Sequence, residues 1–151
     1  MPRFGTTRAL VAAAALVLFA ACSPLRGRPA PEQPAPDGVS FNSGAIVLTG
    51  SALRDGPGTL LATMAGKIPN FRIKRNNDRC PDITLRGQAS FQQISNPKVF
   101  VDGTRATDTC ILESLAAVNV ERVEVYPQGY TTRPGYGTHG PGLILVFMRS
   151  S

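Results

Sequence analysis

The 151-residue chain has room for one domain beside any targeting segment. Its 42% hydrophobic and 17% charged residues are ordinary for a globular protein. The formal charge of +6 falls to +4 once Arg3 and Arg8 are set aside with a removable N-terminus, since 14 basic residues then face 10 acidic ones. So slight an excess does not point to a nucleic-acid partner unless the charges share one face. The densest basic group, Arg72, Lys74, Arg75 and Arg79 with Asn76, Asn77 and Asp78 among them, reads as a solvated loop.

Arg3 and Arg8 precede Ala9 to Ala21, an uncharged apolar run of 13 residues. A membrane-spanning helix needs about 20. A positive start, a short apolar core and small residues before a cleavage point describe a secretory signal. The stretch Leu18-Phe19-Ala20-Ala21-Cys22-Ser23 resembles a bacterial lipobox. The match lies at Ala20, Ala21 and Cys22, and Phe19 departs from the usual aliphatic residue. The resemblance implies a signal peptide over 1–21 and lipidation of Cys22. Ser23 after the cysteine implies the outer membrane, with the domain facing the periplasm. The alternative is an ordinary exported protein with a cysteine near its cleavage point. Residues 22–44 follow, with Pro24, Pro29, Pro31, Pro34 and Pro36 and little apolar content, and read as a stiff tether.

The folded part is expected over 45–151. Ile46-Val47-Leu48-Thr49-Gly50-Ser51, apolar and bounded by glycines, predicts an extended segment or edge strand. Thr59 is a candidate N-cap for a helix from Leu60 to Gly66 or Lys67, with Leu60, Leu61, Met64 and Ile68 on one face. Phe71 to Lys74 alternates apolar and basic residues, a half-buried strand. Arg75 to Asp82 reads as a polar loop holding Cys80. Ile83 to Leu85 alternates again, with Ile83 and Leu85 facing inward, and Gln88 to Asn96 is a polar loop. Val99-Phe100-Val101 predicts a central strand covered on both faces, stopped by the turn signal Asp102-Gly103. Ile111, Leu112, Leu115 and Val118 predict a second helix. Val120 to Tyr126 predicts a strand with Arg122 and Glu124 on its wet face. The stretch from Gln128 to Gly142 is rich in glycine, and Leu143 to Met148 predicts a buried last strand. The fold class is α+β, a small mixed β-sheet with two short helices.

The order of these blocks resembles the plug domain of TonB-dependent outer-membrane receptors. The carriers are Thr59-Leu60-Leu61, Ile68-Pro69-Asn70, Leu85-Arg86-Gly87, Val101-Asp102-Gly103, Val120-Glu121-Arg122-Val123-Glu124-Val125, and Tyr136-Gly137 followed by Gly142 to Val146. The resemblance covers residues 45 to 148. It implies a small α/β domain of the kind held inside a barrel of about 22 strands. It also makes Ile46, Val47, Leu48, Thr49, Gly50 and Ser51 similar to the TonB box, an extended peptide that meets the energy-coupling protein by strand addition. The sequence ends at Ser151, where a plug would end, and a barrel needs hundreds of further residues. The expectation is therefore a plug domain reused on a tether, not a transporter by itself.

With Cys22 assigned to lipid, Cys80 and Cys110 remain, and two cysteines in an exported protein favour a disulfide. The resemblance makes the strands they flank neighbours in one sheet. A metal pair is the sharper alternative, but no second His or third free Cys supports it, and no metal or other cofactor is expected. His139, the one histidine, sits among glycines and reads as an exposed loop residue. Tyr130, Tyr136 and His139, with Gln92 and Gln93 in the earlier loop, are the candidate contact residues. Tyr126 belongs to the same aromatic group. No nucleophile–base pair, phosphate-cradling loop or paired metal ligands occur in the sequence, so no enzyme is expected. Asp102 is explained by its turn. The functional expectation is a lipid-anchored binding module of the outer-membrane envelope, accessory to TonB-dependent uptake, meeting a receptor barrel or the TonB energy-coupling protein. The alternative is a structural envelope lipoprotein that uses the plug fold as a scaffold. A receptor that lost its barrel is a third, weaker reading.

Overall fold

The computed structural model describes residues 37–56, 58–77, 79–86 and 96–150. Cys22, the signal segment, most of the tether, Gln92 and Gln93 lie outside the described residues. Among the described residues eight strands form: β1 (Gly38–Asn42), β2 (Ala45–Thr49), β3 (Arg72–Asn76), β4 (Arg79–Thr84), β5 (Lys98–Val101), β6 (Thr104–Arg105), β7 (Val120–Tyr126) and β8 (Leu143–Met148). The helices are α1 (Ser51–Arg54), α2 (Leu60–Lys67) and α3 (Ile111–Ser114), and a 3-10 turn spans Ala117–Asn119. Six strands make one sheet in the order β1-β2-β7-β8-β5-β6, and β3 and β4 make a separate hairpin. Only the β5–β8 pair is parallel, so the sheet is mixed, as expected.

The centre of the sheet is β7 and β8. Leu143, Ile144, Leu145 and Val146 are all at most 1% exposed, so β8 is covered on both faces. One face, with Leu48, Val123, Val125, Ile144 and Val146, packs under α1 and α2 through Leu53, Leu60, Leu61 and Met64, and under Leu112 of α3. The other face holds Ala45, Val47, Tyr126, Leu143 and Leu145, with Phe100, Tyr136 and Phe147 against them. Each fully buried leucine here contributes about 1.5–3 kcal/mol relative to exposure. Helix α2 starts where expected: the Thr59 hydroxyl accepts the Ala62 N–H at 3.3 Å, which satisfies one orphan donor of the first turn. It stops at Ile68, whose backbone is extended.

Several expectations are corrected by this architecture. The ordered sheet begins at Gly38, not at residue 45, because Val39 and Phe41 alternate with Gly38, Ser40 and Asn42 and pair along the whole of β2. Strand β2 is therefore no edge. It is bonded to β1 on one side and β7 on the other, and every residue of it is buried. Gly50 and Ser51 leave the sheet and open α1. There the Ser51 N–H donates to Asp37 Oδ1 at 2.7 Å, and Arg54 lies 3.9 Å from the same carboxylate. Strand β5 is not central: Phe100 and Val101 are half-buried, and beyond them lies only the two-residue β6. The turn between β5 and β6 is Asp102-Gly103, as expected. Both residues have positive φ (47° and 80°), the requirement of a two-residue hairpin loop. Asp102 does a second job there, its Oδ1 accepting the Met148 N–H at 2.9 Å.

The polar loop expected at 75–82 is instead the β3–β4 hairpin, with Arg72 paired to Thr84, Ile73 to Ile83 and Lys74 to Asp82. Ile83 and Leu85 do face inward, at 1% and 3% exposure. The second helix is shorter than its apolar spacing implies. It ends at Ser114, Leu115 turns extended, and Val118 on the following 3-10 turn is 52% exposed. Strand β7 has no wet face at Glu124, which is 4% exposed. Among the described residues, no helix is long and apolar enough to cross a membrane.

Candidate functional site

The glycine-rich segment after β7 folds back over the second face of the sheet. Arg133 reaches down to Glu124, its Nε donating to Oε2 at 2.7 Å and its second guanidinium nitrogen to Oε1 at 2.6 Å. This bidentate fork satisfies a carboxylate that burial alone would make costly. The Tyr126 hydroxyl donates to the same carboxylate at 2.9 Å, and Arg122 lies 3.3 Å from it. The Phe147 ring is flanked by both guanidiniums, with carbon–centroid distances of 4.6 Å to Arg122 and 5.3 Å to Arg133. Burial is the main cause that pushes the Tyr126 phenol above its ordinary pKa, and the Glu124 carboxylate adds to it. The hydrogen bond to Glu124 raises the Arg133 pKa in the same way. Further along, Tyr136 packs edge-on to Phe100 with centroids 5.0 Å apart. Tyr136 therefore covers the sheet, while Tyr130 stays 58% exposed.

His139 is not the exposed loop residue expected of it. It is half-buried, and its Nε2 lies 3.1 Å from the Asn96 carbonyl oxygen. A carbonyl can only accept, so the ring donates through Nε2. The backbone fixes the ring's origin: the His139 N–H donates to Gly129 O at 2.7 Å, and the Gly142 N–H donates to His139 O at 2.9 Å. Gly129 sits at φ 73°, and any β-carbon there would overlap the His139 carbonyl, so only glycine permits this approach.

Asn96 joins this segment to the hairpin. Its Oδ1 accepts the Ile83 N–H at 2.6 Å, and its Nδ2 donates to Asp82 at 3.2 Å. Asn96, the last residue of the first expected contact stretch, thus meets His139 of the glycine-rich segment. Beside them opens a polar cleft of about 300 Å³, lined among others by Cys80, Asn96, Lys98, Arg105, Asp108 and His139. Cys80 is joined to Cys110 by a disulfide, with Cα atoms 4.8 Å apart. The bond does not link neighbours in one sheet, as expected of it. It fastens the separate hairpin, through β4, to the start of α3. The sequence does not mark Lys98, Arg105 and Asp108 as cleft residues, nor Glu124 and Arg133 as a pair. Nothing in their local spacing marks them, because each takes its role from a partner brought close by the fold.

Comparison with curated proteins gives no match. Among solved structures the chain is similar to one described as "Copper transporter OprC", at 17% identity and a TM-score of 0.50. The likeness covers 76% of this chain and 18% of that one, so it concerns the fold and only a small part of the larger protein. A family comparison matches residues 39–142, from the first strand to the glycine before the last, to the TonB-dependent Receptor Plug Domain. Strands β2 to β7, the Asp102-Gly103 turn and the folded-back glycine-rich segment all lie within that match, and the chain belongs to the TonB-dependent receptor plug domain family.

Proposed function

We propose that this plug domain is a binding module of the bacterial outer-membrane envelope, held there by a lipid on Cys22 and facing the periplasm. It acts by contact with a receptor barrel or with the TonB energy-coupling protein, and not by catalysis. The observation that carries the reading is the polar cleft where Asn96 and His139 meet. Tyr130, exposed on the same glycine-rich segment, extends the contact surface. The lipobox-like Ala20-Ala21-Cys22 supports the anchor.

Strand addition at Ile46 to Ser51 is not part of this reading. Ile46 to Thr49 has both edges bonded, and Gly50 and Ser51 are committed to α1. The test is photo-crosslinking in envelope membranes, with the crosslinker placed at Tyr130 and, separately, at exposed Arg105. Recovery of a barrel or a TonB-type protein from these positions, and not from Glu121 on β7, supports the module. Recovery of only abundant envelope proteins from all three sites rejects it and leaves the scaffold role. Labelling with a palmitate analogue, lost in Cys22→Ser, tests the anchor separately.

A further inference from the structure

We propose that the Cys80–Cys110 disulfide is the oxidised form of a thiophilic metal site, completed by Asp108 and opened by a dithiol reductant. The ligand atoms available from Cys80, Cys110 and Asp108 all lie within 4.8 Å of one another. Two thiolates on one tetrahedral zinc-type ion stand about 3.8 Å apart, from metal–sulfur bonds of about 2.3 Å, so a small separation of the sulfurs creates the site. Asp108 is held beside the pair, its Oδ1 accepting the Cys110 N–H at 2.9 Å. Both cysteines are half-buried, and Cys80 and Asp108 line the open cleft, so an ion and a reductant can reach them.

The decisive feature is that the two cysteine-bearing segments are held together without the S–S bond. The Thr109 hydroxyl, next to Cys110, donates to the carbonyl of Pro81, next to Cys80, at 2.6 Å, and this bond is buried. Arg75 on the hairpin also meets Glu113 on α3 at 3.2 Å. Loss of the disulfide therefore leaves two thiols side by side and does not free the hairpin. A dithiol supplies two electrons and two protons and becomes a disulfide itself. Cys80 and Cys110 become thiols, and metal binding then releases their two protons. Two thiolates and a carboxylate select a borderline or soft cation over calcium or magnesium.

The test uses the purified full-length chain in detergent, reduced anaerobically with a dithiol that is then removed, and titrated with cobalt(II) alone. The expected result is one equivalent bound with sulfur-to-cobalt charge-transfer absorption, displaced by zinc. Oxidised protein and the Cys80→Ser/Cys110→Ser variant show none. Asp108→Asn keeps the disulfide in oxidised protein but weakens cobalt binding after reduction. Absence of the charge-transfer band in reduced protein overturns the proposal. So does binding equal in Asp108→Asn and the parent, and so does loss of the native circular-dichroism spectrum on reduction. None of these outcomes bears on the crosslinking result, so the two readings stand or fall separately.

Discussion

Along the β7–β8 ladder, Val123, Val125 and Leu143 to Val146 fill the space above and below the sheet. The β3–β4 hairpin, by contrast, exposes Arg72, Lys74, Arg75 and Arg79. It is tied to the rest by a few points: the disulfide, the Thr109–Pro81 bond, the Arg75–Glu113 pair and the two bonds of Asn96, together with the inward Ile83 and Leu85. The ladder owes its place to area and the hairpin largely to directed links. Area tolerates no deletion cheaply, but no single residue specifies it. Directed links specify position sharply, and each can be cut chemically without collapsing the core. That is why a switchable element fits the hairpin and not the ladder.

The largest expected effect is on the ladder. Leu145→Ala removes a side chain 1% exposed and costs about 2–5 kcal/mol in urea unfolding. A cost well under this range would show that the sheet can collapse around the gap. Next comes the Cys80→Ser/Cys110→Ser variant, expected to lose about 3–4 kcal/mol, since the bond closes a sequence separation of 30 residues. The hairpin stays docked in it, with the slow amide exchange of Ile83 as the readout. Glu124→Gln leaves the Arg133 fork facing an amide and costs about 1–3 kcal/mol, a directed link inside the area-held region.

Thr109→Val sharpens the contrast further. With the disulfide intact it costs about 1 kcal/mol. After reduction it releases the hairpin, seen as rapid trypsin cleavage after Lys74 and Arg75, and equal cleavage rates in the two redox states would break the comparison. The smallest effect is a pH dependence. The Tyr126 phenol has a raised pKa in the fold, so the folded state holds that proton more tightly than the unfolded chain does. Its contribution is intact below about pH 10, the ordinary tyrosine value, and fades as pH rises through the folded value. A Tyr126→Phe variant loses that alkaline slope in urea titrations.

The same division explains what was legible in the sequence. Leu143 to Met148 and Val120 to Tyr126 read as strands because apolar runs are a local signal, and the cap at Thr59 is likewise local. The disulfide was legible from cysteine number and compartment. Glu124 was not, because a charged residue alternating with valines has the pattern of a solvated face. Its burial depends on Arg133, nine residues later in a segment without regular structure. The hairpin's second strand was hidden by Arg79, Cys80, Pro81 and Asp82, a polar run with little strand signal. Strand β1 was overlooked for a different reason: Val39 and Phe41 do alternate, but they stand directly after a proline-rich stretch. The cleft was not legible, because the meeting of Asn96 with His139 is a property of the fold alone.

The way the first strand is attached has a mechanical consequence. Strand β1 lies antiparallel on β2 and closes at the Ser43-Gly44 turn, so its Gly38 end is the open end of a hairpin. Tension arriving from residues before Asp37 meets first the link from Asp37 to Ser51 and Arg54, and then the Gly38–Thr49 rung, the Val39–Leu48 rung and the rest in turn. The rungs fail singly, as in a zip. A pull at the far end acts along β8, which is flanked by β5 and β7 and must shear many rungs at once. The domain yields at Gly38 under loads that leave Met148 in place, so a tether joined to its N-terminal side can peel one strand from the sheet while the core stays whole.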